Sequence, residues 1–261
     1  MPSLNGLRVL VTRPLQPGQE LAEMIDAAGG AAYLWPCIEI VPAPAEAIQQ
    51  AVAELRQDAI LIFVSPIAAR TIWQALTPPL RERLQSLSLY AVGEGTAKVL
   101  QGFGCLSVHY PQGKADSEAL LAMPQLQQVQ GSAVMICRGQ DGRELIAETL
   151  HKRGADVHYL SCYNRQPPQT DPQRLLEVWE TQGFNLVILT SVDSLHNLEK
   201  MLGFQRCLLQ QTPVTVMSER MEMAALACGI RHVHAVRSAR NQELLAFISN
   251  FAEKTHFSAK K

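Results

Sequence analysis

The chain has 261 residues, 47% of them hydrophobic and 18% charged, with a formal net charge of −1. That length accommodates two domains with real cores, and the near-neutral balance supplies no global field for nucleic acid or for a membrane surface. No run reaches the roughly 18 apolar residues of a membrane span, and Met1-Pro2-Ser3-Leu4-Asn5-Gly6 lacks the basic start and apolar block of a signal peptide, so the expected compartment is the cytoplasm.

Residues 7–12 form a short β-branched apolar run that reads as a buried strand, ended by Arg13-Pro14. A helical pattern over 18–28 follows and stops at Gly29-Gly30. A second strand begins at Ala32 and is read as continuing through Ile38 and Ile40 in alternation, with Pro42 and Pro44 marking a boundary. A helix around 45–56 precedes the strand 59–64, which ends at Ser65-Pro66. Helices over about 67–76 and 79–86 lead to the strand 89–92. Gly93-Glu94-Gly95-Thr96 opens another helix, and residues 107–110 form a short strand before a helix starting at Ser117. Strands over 133–137, 156–163, 185–190, 214–217 and 231–236 then alternate with helices placed after Asp141, Pro172, Ser191, Ser218 and Asn241. The strict alternation predicts α/β architecture with parallel sheets, whose ligands bind at the carboxyl ends of the strands.

The second half repeats the first at an offset of 125 residues: Val9-Leu10-Val11 maps onto Val134-Met135-Ile136, Arg13 onto Arg138, Cys37 onto Cys162, Pro42 onto Pro167 and Glu94 onto Glu219. A period that long exceeds the 20–50 residues of a solenoid unit and implies two equivalent units with a cleft between them.

The recurring polar chemistry lies at the strand-to-helix turns. In the first half these are Arg13, Ser65-Pro66, Gly93 to Thr96 and Ser117. In the second they are Arg138-Gly139-Gln140, Thr190-Ser191, Ser218-Glu219-Arg220 and Asn241. Hydroxyl residues and glycines there expose backbone N–H groups at helix N-termini, which bind anions; they also cap helices with no ligand involved. Arg13 and Arg138 are open to two readings, a salt bridge stapling the turn or carboxylate binding. Gly93-x-Gly95 lacks the third glycine and downstream acid of a dinucleotide loop, and no phosphate loop or nucleophile elbow is present. The six cysteines form no CxxC pair, so a metal site is not expected and most should be buried reduced thiols. His232 and His234 read as a solvent-facing strand edge. Tyr163 faces Ile38 in the repeat, so the duplication does not require it. It can be a proton donor at a domain boundary or a packed interface tyrosine.

At these turns the chain resembles the uroporphyrinogen-III synthase family. The pieces are Leu10-Val11-Thr12-Arg13-Pro14, Ile62-Phe63-Val64-Ser65-Pro66, Ala91 to Ala97, Cys137-Arg138-Gly139, Tyr163-Asn164-Arg165 and Leu189-Thr190-Ser191; each is weak alone and specific in order and spacing. The resemblance implies two flavodoxin-like domains, interleaved and joined by a two-stranded hinge. Residues 1–38 with 168–255 would form one domain and 41–165 the other, with 37–44 and 162–170 as hinge strands and 253–261 as a frayed tail.

The reaction it implies is cyclisation of hydroxymethylbilane, a linear tetrapyrrole with eight carboxylates, to uroporphyrinogen III. Water leaves to give an azafulvene, ring D attacks through its substituted carbon, and a spiro intermediate inverts that ring. Tyr163 would be the acid. Substrate would be bound by Arg13, Ser65, Pro66, Gly93, Thr96, Arg138, Gly139, Gln140, Thr190, Ser191, Ser218 and Arg220. No metal or cofactor is implied. The expected partner is this substrate, with neither nucleic acid nor membrane, on a monomer in transient contact with the preceding enzyme of the pathway. The chain departs from the family at Ser218-Glu219-Arg220-Met221, where a glycine-proline-threonine turn is usual, which unsettles a threonine role there. The alternative reading is a non-catalytic cytosolic two-domain binder of a small anion; a nucleotide-type enzyme is disfavoured by the missing phosphate loop.

Overall fold

A computed structural model describes residues 4–140 and 144–255. In chain order the elements are β1 (Arg8–Val11), α1 (Leu15–Ala27), β2 (Ala31–Leu34), β3 (Glu39–Pro42), α2 (Ala45–Ala53), β4 (Ile60–Phe63), α3 (Pro66–Ala75), α4 (Pro78–Gln85), β5 (Ser88–Ala91), α5 (Glu94–Gly102), β6 (Val108–His109) and α6 (Ser117–Leu121). They continue with β7 (Ala133–Gly139), α7 (Leu145–Lys152), β8 (Asp156–Gln166), α8 (Gln173–Thr181), β9 (Leu186–Ile188), α9 (Val192–Leu202), α10 (Cys207–Gln211), β10 (Val214–Val216), α11 (Glu219–Ala227), β11 (Val233–Ala235) and α12 (Asn241–Lys254). The helix start read at Asp141 lies outside the described residues. Of the tail expected from 253 onward, Glu253 and Lys254 complete α12, and 256–261 lie outside the described residues.

The chain divides into two compact units, residues 1–39 with 166–261 and residues 40–165. The first holds the sheet β11-β10-β9-β1-β2, parallel throughout. The second holds β3-β8-β7-β4-β5-β6, in which β8 through β6 are parallel. With β1 and β7 each taken as a first strand, both sheets have the flavodoxin-like order 2-1-3-4-5. Each unit draws its first two strands from one half of the duplicated sequence and its other three from the other half. β3 is an addition at the edge: the Ala43 N–H bonds the Cys162 carbonyl at 2.9 Å while Gln166 reaches Glu39, so β3 runs against β8.

The long strand read from Ala32 through Ile40 is two strands in two sheets. β2 pairs with β1 through Leu34, and beyond it the Trp35 and Cys37 N–H groups still bond the Val11 and Thr12 carbonyls at 2.9 and 3.0 Å, before β3 begins at Glu39 in the other sheet.

Both faces of each sheet are buried, which is why the strands read as continuous apolar runs rather than alternating ones. In the first unit Val9, Val11, Leu186 and Ile188 pack beneath Leu21 and Ile25 of α1 and Leu244 and Ile248 of α12. On the other face Leu10, Val187, Val214 and Val216 meet Leu175 and Trp179 of α8 and Leu195 and Leu198 of α9. In the second unit Leu61 and Phe63 pack against Ile48, Val52, Ala68 and Ile72, whereas Ile62 turns to Val134, Ile136, Leu120 and Leu150. Each such buried aliphatic side chain contributes about 1.5–3 kcal/mol relative to exposure. Four of the six cysteines are buried and all are free; Cys207 is exposed and Cys228 half-buried. His234 is not a solvent-facing residue: it is half-buried against Phe247 and Phe251, and burial lowers its pKa. Among the described residues no helix is long and apolar enough to cross a membrane.

Candidate active site

In a sheet of this order the ligand position is outside the carboxyl ends, at the point where the strand order reverses. In the second unit that point lies between β7 and β4. Gly139 ends β7, Ser65 and Pro66 follow β4, and Tyr163 stands near the end of β8, the neighbour of β7. Ser65 is the N-cap of α3, its Oγ accepting from the Ala68 N–H at 3.1 Å, and Pro66 takes the first helical position, where a missing N–H does no harm. The same Oγ lies 3.3 Å from the Tyr163 hydroxyl.

Tyr163 is only 4% exposed, and its ring lies on Gly139. A Cβ at position 139 would stand 2.8 Å from Tyr163 Cε2 and 2.9 Å from Cζ, so only glycine fits beneath the ring. The Gln140 N–H bonds the Tyr163 carbonyl at 3.0 Å.

A register shift between β7 and β8 determines which way Tyr163 points. Arg138 pairs with Ser161, but Gly139 pairs with Tyr163, so Cys162 is an extra residue in β8. Simple alternation would put Tyr163 on the same face as Tyr159. Instead it packs with Leu160 and Cys162 in the core that covers β4. The Cys162 thiol fills the irregularity by donating to the Arg138 carbonyl at 3.2 Å. Burial pushes that thiol up to about 12, which keeps it a donor.

Arg138 is buried and turned to its own neighbourhood. Its guanidinium donates to Glu144 Oε1 at 3.0 Å and to the Gly139 carbonyl at 3.2 Å, and it stacks 4.5 Å over the Tyr159 ring. The Tyr159 hydroxyl donates to the other oxygen of Glu144. That hydrogen bond first, and Arg138 second, hold the Glu144 carboxyl below its usual range. Of the two readings of Arg138, the geometry displays the local staple, which fixes the 138–140 turn under Tyr163. On the neighbouring strand, Gly93 caps α5 with an ordinary extended φ of −162°. Its constraint is space: a Cβ there would come within 2.4 Å of Ala115 Cβ. Thr96 is buried in the first turn of α5.

In the first unit the reversal lies between β1 and β9, flanked by Arg13 and by Thr190-Ser191. Arg13 donates to the Asn241 side chain at the start of α12, and Asn241 in turn donates to Glu20 at 3.3 Å. Burial disfavours the Arg13 charge and Glu20 partly offsets this. Ser191 and Ser194 form a reciprocal capping box at the start of α9. Ser218 caps α11 at 3.3 Å, and Arg220 beside it is exposed.

Sequence reasoning sorted these turns by halves of the repeat; the structure instead gathers Ser65, Pro66, Gly139, Gln140 and Tyr163 around one sheet's reversal point and sets Arg13, Thr190, Ser191, Ser218 and Arg220 along the carboxyl edge of the other. Sequence reasoning missed Tyr159 and Glu144, the partners of Arg138, and it assigned no role to Arg165, whose guanidinium carbon lies 5.9 Å from the Tyr163 ring centroid. The Arg165 signal was its position two residues after Tyr163. Glu144 carried no signal, because no motif or spacing in the sequence links it to Arg138.

The fold and the constellation define a two-unit α/β protein with flavodoxin-like sheets and a buried tyrosine at the reversal point of one of them. The family described as uroporphyrinogen-III synthase HemD matches residues 19–246, and the chain belongs to that family. The uroporphyrinogen-III synthase of Escherichia coli (strain K12) is 30% identical over 242 residues, covering 92% of this chain and 98% of that protein. That of Proteus mirabilis is 32% identical over 162 residues, covering 61% and 80%. Among solved structures, the uroporphyrinogen-III synthetase of Helicobacter pylori superposes with a TM-score of 0.64 at 14% identity over 94% of this chain and 99% of that one. A mutant uroporphyrinogen III synthase of Thermus thermophilus gives 0.59 at 20% identity over 96% and 100%. At those identities the likeness speaks for the fold.

Proposed function

We propose that this chain performs its family's reaction, the cyclisation of hydroxymethylbilane to uroporphyrinogen III with inversion of ring D, and that Tyr163 is the acid that starts it. The observation that carries the Tyr163 assignment is its buried phenol at the reversal point of the β8-β7-β4 edge, 3.3 Å from Ser65 Oγ. The hydroxymethyl C–O bond breaks as the pyrrole nitrogen lone pair pushes in, the departing hydroxide takes the Tyr163 proton and leaves as water, and the azafulvene remains in its N-protonated, cationic form beside the phenolate. Ring D attacks through its substituted carbon, and loss of a proton at the end of the sequence restores the phenol. Ser65, held by its capping bond, donates to the phenol oxygen as charge develops there. The N-terminus of α3 and the Arg165 guanidinium favour the same charge.

Arg138, with Glu144 and Tyr159, is a positioning residue that fixes Gly139 and Gln140 beneath the ring. Gly93 and Thr96, Arg13, Thr190-Ser191, Ser218 and exposed Arg220 are the proposed partners of substrate carboxylates, through backbone N–H groups at helix starts and through the guanidiniums. Spontaneous closure of the bilane gives the uninverted isomer, so the enzyme's main task is to hold a folded geometry. The single chain is the proposed working unit in the cytoplasm, taking its short-lived substrate from the enzyme that makes it.

The test is incubation with freshly made hydroxymethylbilane followed by isomer analysis; product indistinguishable from the spontaneous isomer overturns the proposal. Tyr163→Phe is expected to lower turnover by about 10²–10⁴-fold, the usual worth of a positioned acid, with the fold intact. An unchanged rate removes Tyr163 from the acid role.

A further inference from the structure

The spacing of cysteines and histidines along the chain shows no metal motif, yet the fold brings three donors of different types together in the first unit. His196 and Glu199 lie one turn apart on α9, and Cys228 closes the C-terminus of α11. One ligand atom from each lies within 4.8 Å of the others, and the Cys228 thiol donates to Glu199 Oε2 at 3.0 Å. We propose that His196, Glu199 and Cys228 form a binding site for a divalent cation of the zinc class, which ties α9 to α11.

The donor set selects the metal. Thiolate, imidazole and carboxylate together suit zinc, whereas magnesium and calcium take oxygen donors almost alone. Metal–ligand bonds of about 2.0–2.3 Å in a tetrahedron put the donor atoms about 3.3–3.7 Å apart, so the observed spacing closes on a cation with side-chain adjustment alone. On binding, the Cys228 S–H that donates to Glu199 gives way to an S–metal bond, and its proton leaves to solvent. His196 is exposed and the other two half-buried, so a cation can enter from solvent, and water completes the fourth position. Cys228 lies at the opposite end of α11 from the Ser218 cap, and His196 and Glu199 follow the Ser191 cap of α9 by more than one turn.

The experiment is a cobalt(II) titration of the full chain under reducing conditions in a Cys207→Ser background, since Cys207 is the exposed thiol. The expected result is one equivalent bound, with tetrahedral visible bands and a thiolate-to-metal charge-transfer band, one proton released, and displacement by zinc. Cys228→Ser should abolish the charge-transfer band. His196→Ala, a surface change that leaves folding alone, should weaken binding at least about tenfold. Zinc at 100 times its dissociation constant should raise the melting temperature by roughly 5 °C or more. Absence of the charge-transfer band, its persistence in Cys228→Ser, or unchanged affinity in His196→Ala overturns the proposal.

Discussion

Replacing Gly139 by alanine adds one methyl group at the place where the structure has least room for it. The new Cβ would stand 2.8 and 2.9 Å from ring carbons of Tyr163 and 3.3 Å from its hydroxyl oxygen. The ring is 4% exposed and sits in the core that covers β4, so it cannot swing clear without displacing Leu160, Cys162 or Ser65. Overpacking of this kind costs about 1–3 kcal/mol. Gly139 has no positive φ, so backbone strain adds nothing, and the stiffer unfolded chain returns about 0.4–1 kcal/mol. The net expectation is a loss of about 1–2 kcal/mol in stability. The effect on rate should be larger in proportion, because a shift of about 1 Å in a reacting group can cost on the order of 100-fold. Denaturant unfolding and turnover of hydroxymethylbilane measure the two quantities. A cycle with Tyr163→Ala locates the cause: with the ring gone the methyl should be tolerated, giving a coupling of about 1 kcal/mol or more. Wild-type stability and turnover in Gly139→Ala, or an additive cycle, would refute the packing argument and with it the claim that Gly139 sets the position of the phenol.

Two further outcomes follow from the same constellation. Ser65→Ala removes both the cap of α3 and the partner of Tyr163, so about 1 kcal/mol of stability and about tenfold in turnover should be lost, with both restored in Ser65→Thr; full turnover in the alanine variant would exclude the hydroxyl from the reaction. The Glu144 carboxyl is held below its usual range, so its pairing with Tyr159 and Arg138 stabilises the fold above the ordinary carboxylate pKa of 4.5 and is lost as pH falls through the depressed folded value. Melting temperatures of the native chain and Glu144→Gln should therefore differ near neutral pH and converge in acid; a gap that persists in acid would show that the pairing is not the source.

How much of this was legible in the chain depends on the range of the interaction. Residues 59–64 and 185–190 read as strands because β-branched runs buried on both faces leave a one-dimensional signature. Ser65-Pro66 and Ser191 read as helix starts because capping acts within four residues. What failed acts across strands. The interruption between β2 and β3 depends on two sheets, and the extra residue at Cys162 depends on register against β7. Arg138 was open to two readings because its partner Tyr159 comes from the neighbouring strand and Glu144 from beyond the end of its own, and neither pairing leaves a mark in local sequence. His196, Glu199 and Cys228 had no visible spacing because two helices supply them.

The sequence by itself determined the α/β alternation, the duplication and the turns at which polar chemistry is possible. These are properties of neighbouring residues and of a fixed repeat. The repeat by itself left open which half each strand joins, since equivalent segments of a duplicated chain offer nearly equal partners; the interleaved division came only with the resemblance, and it is the packed sheets that choose between the partners. The tertiary structure alone decided that Tyr163 faces Ser65 rather than standing with Tyr159. One unpaired residue in β8 reverses the direction of a side chain, and no local preference records that.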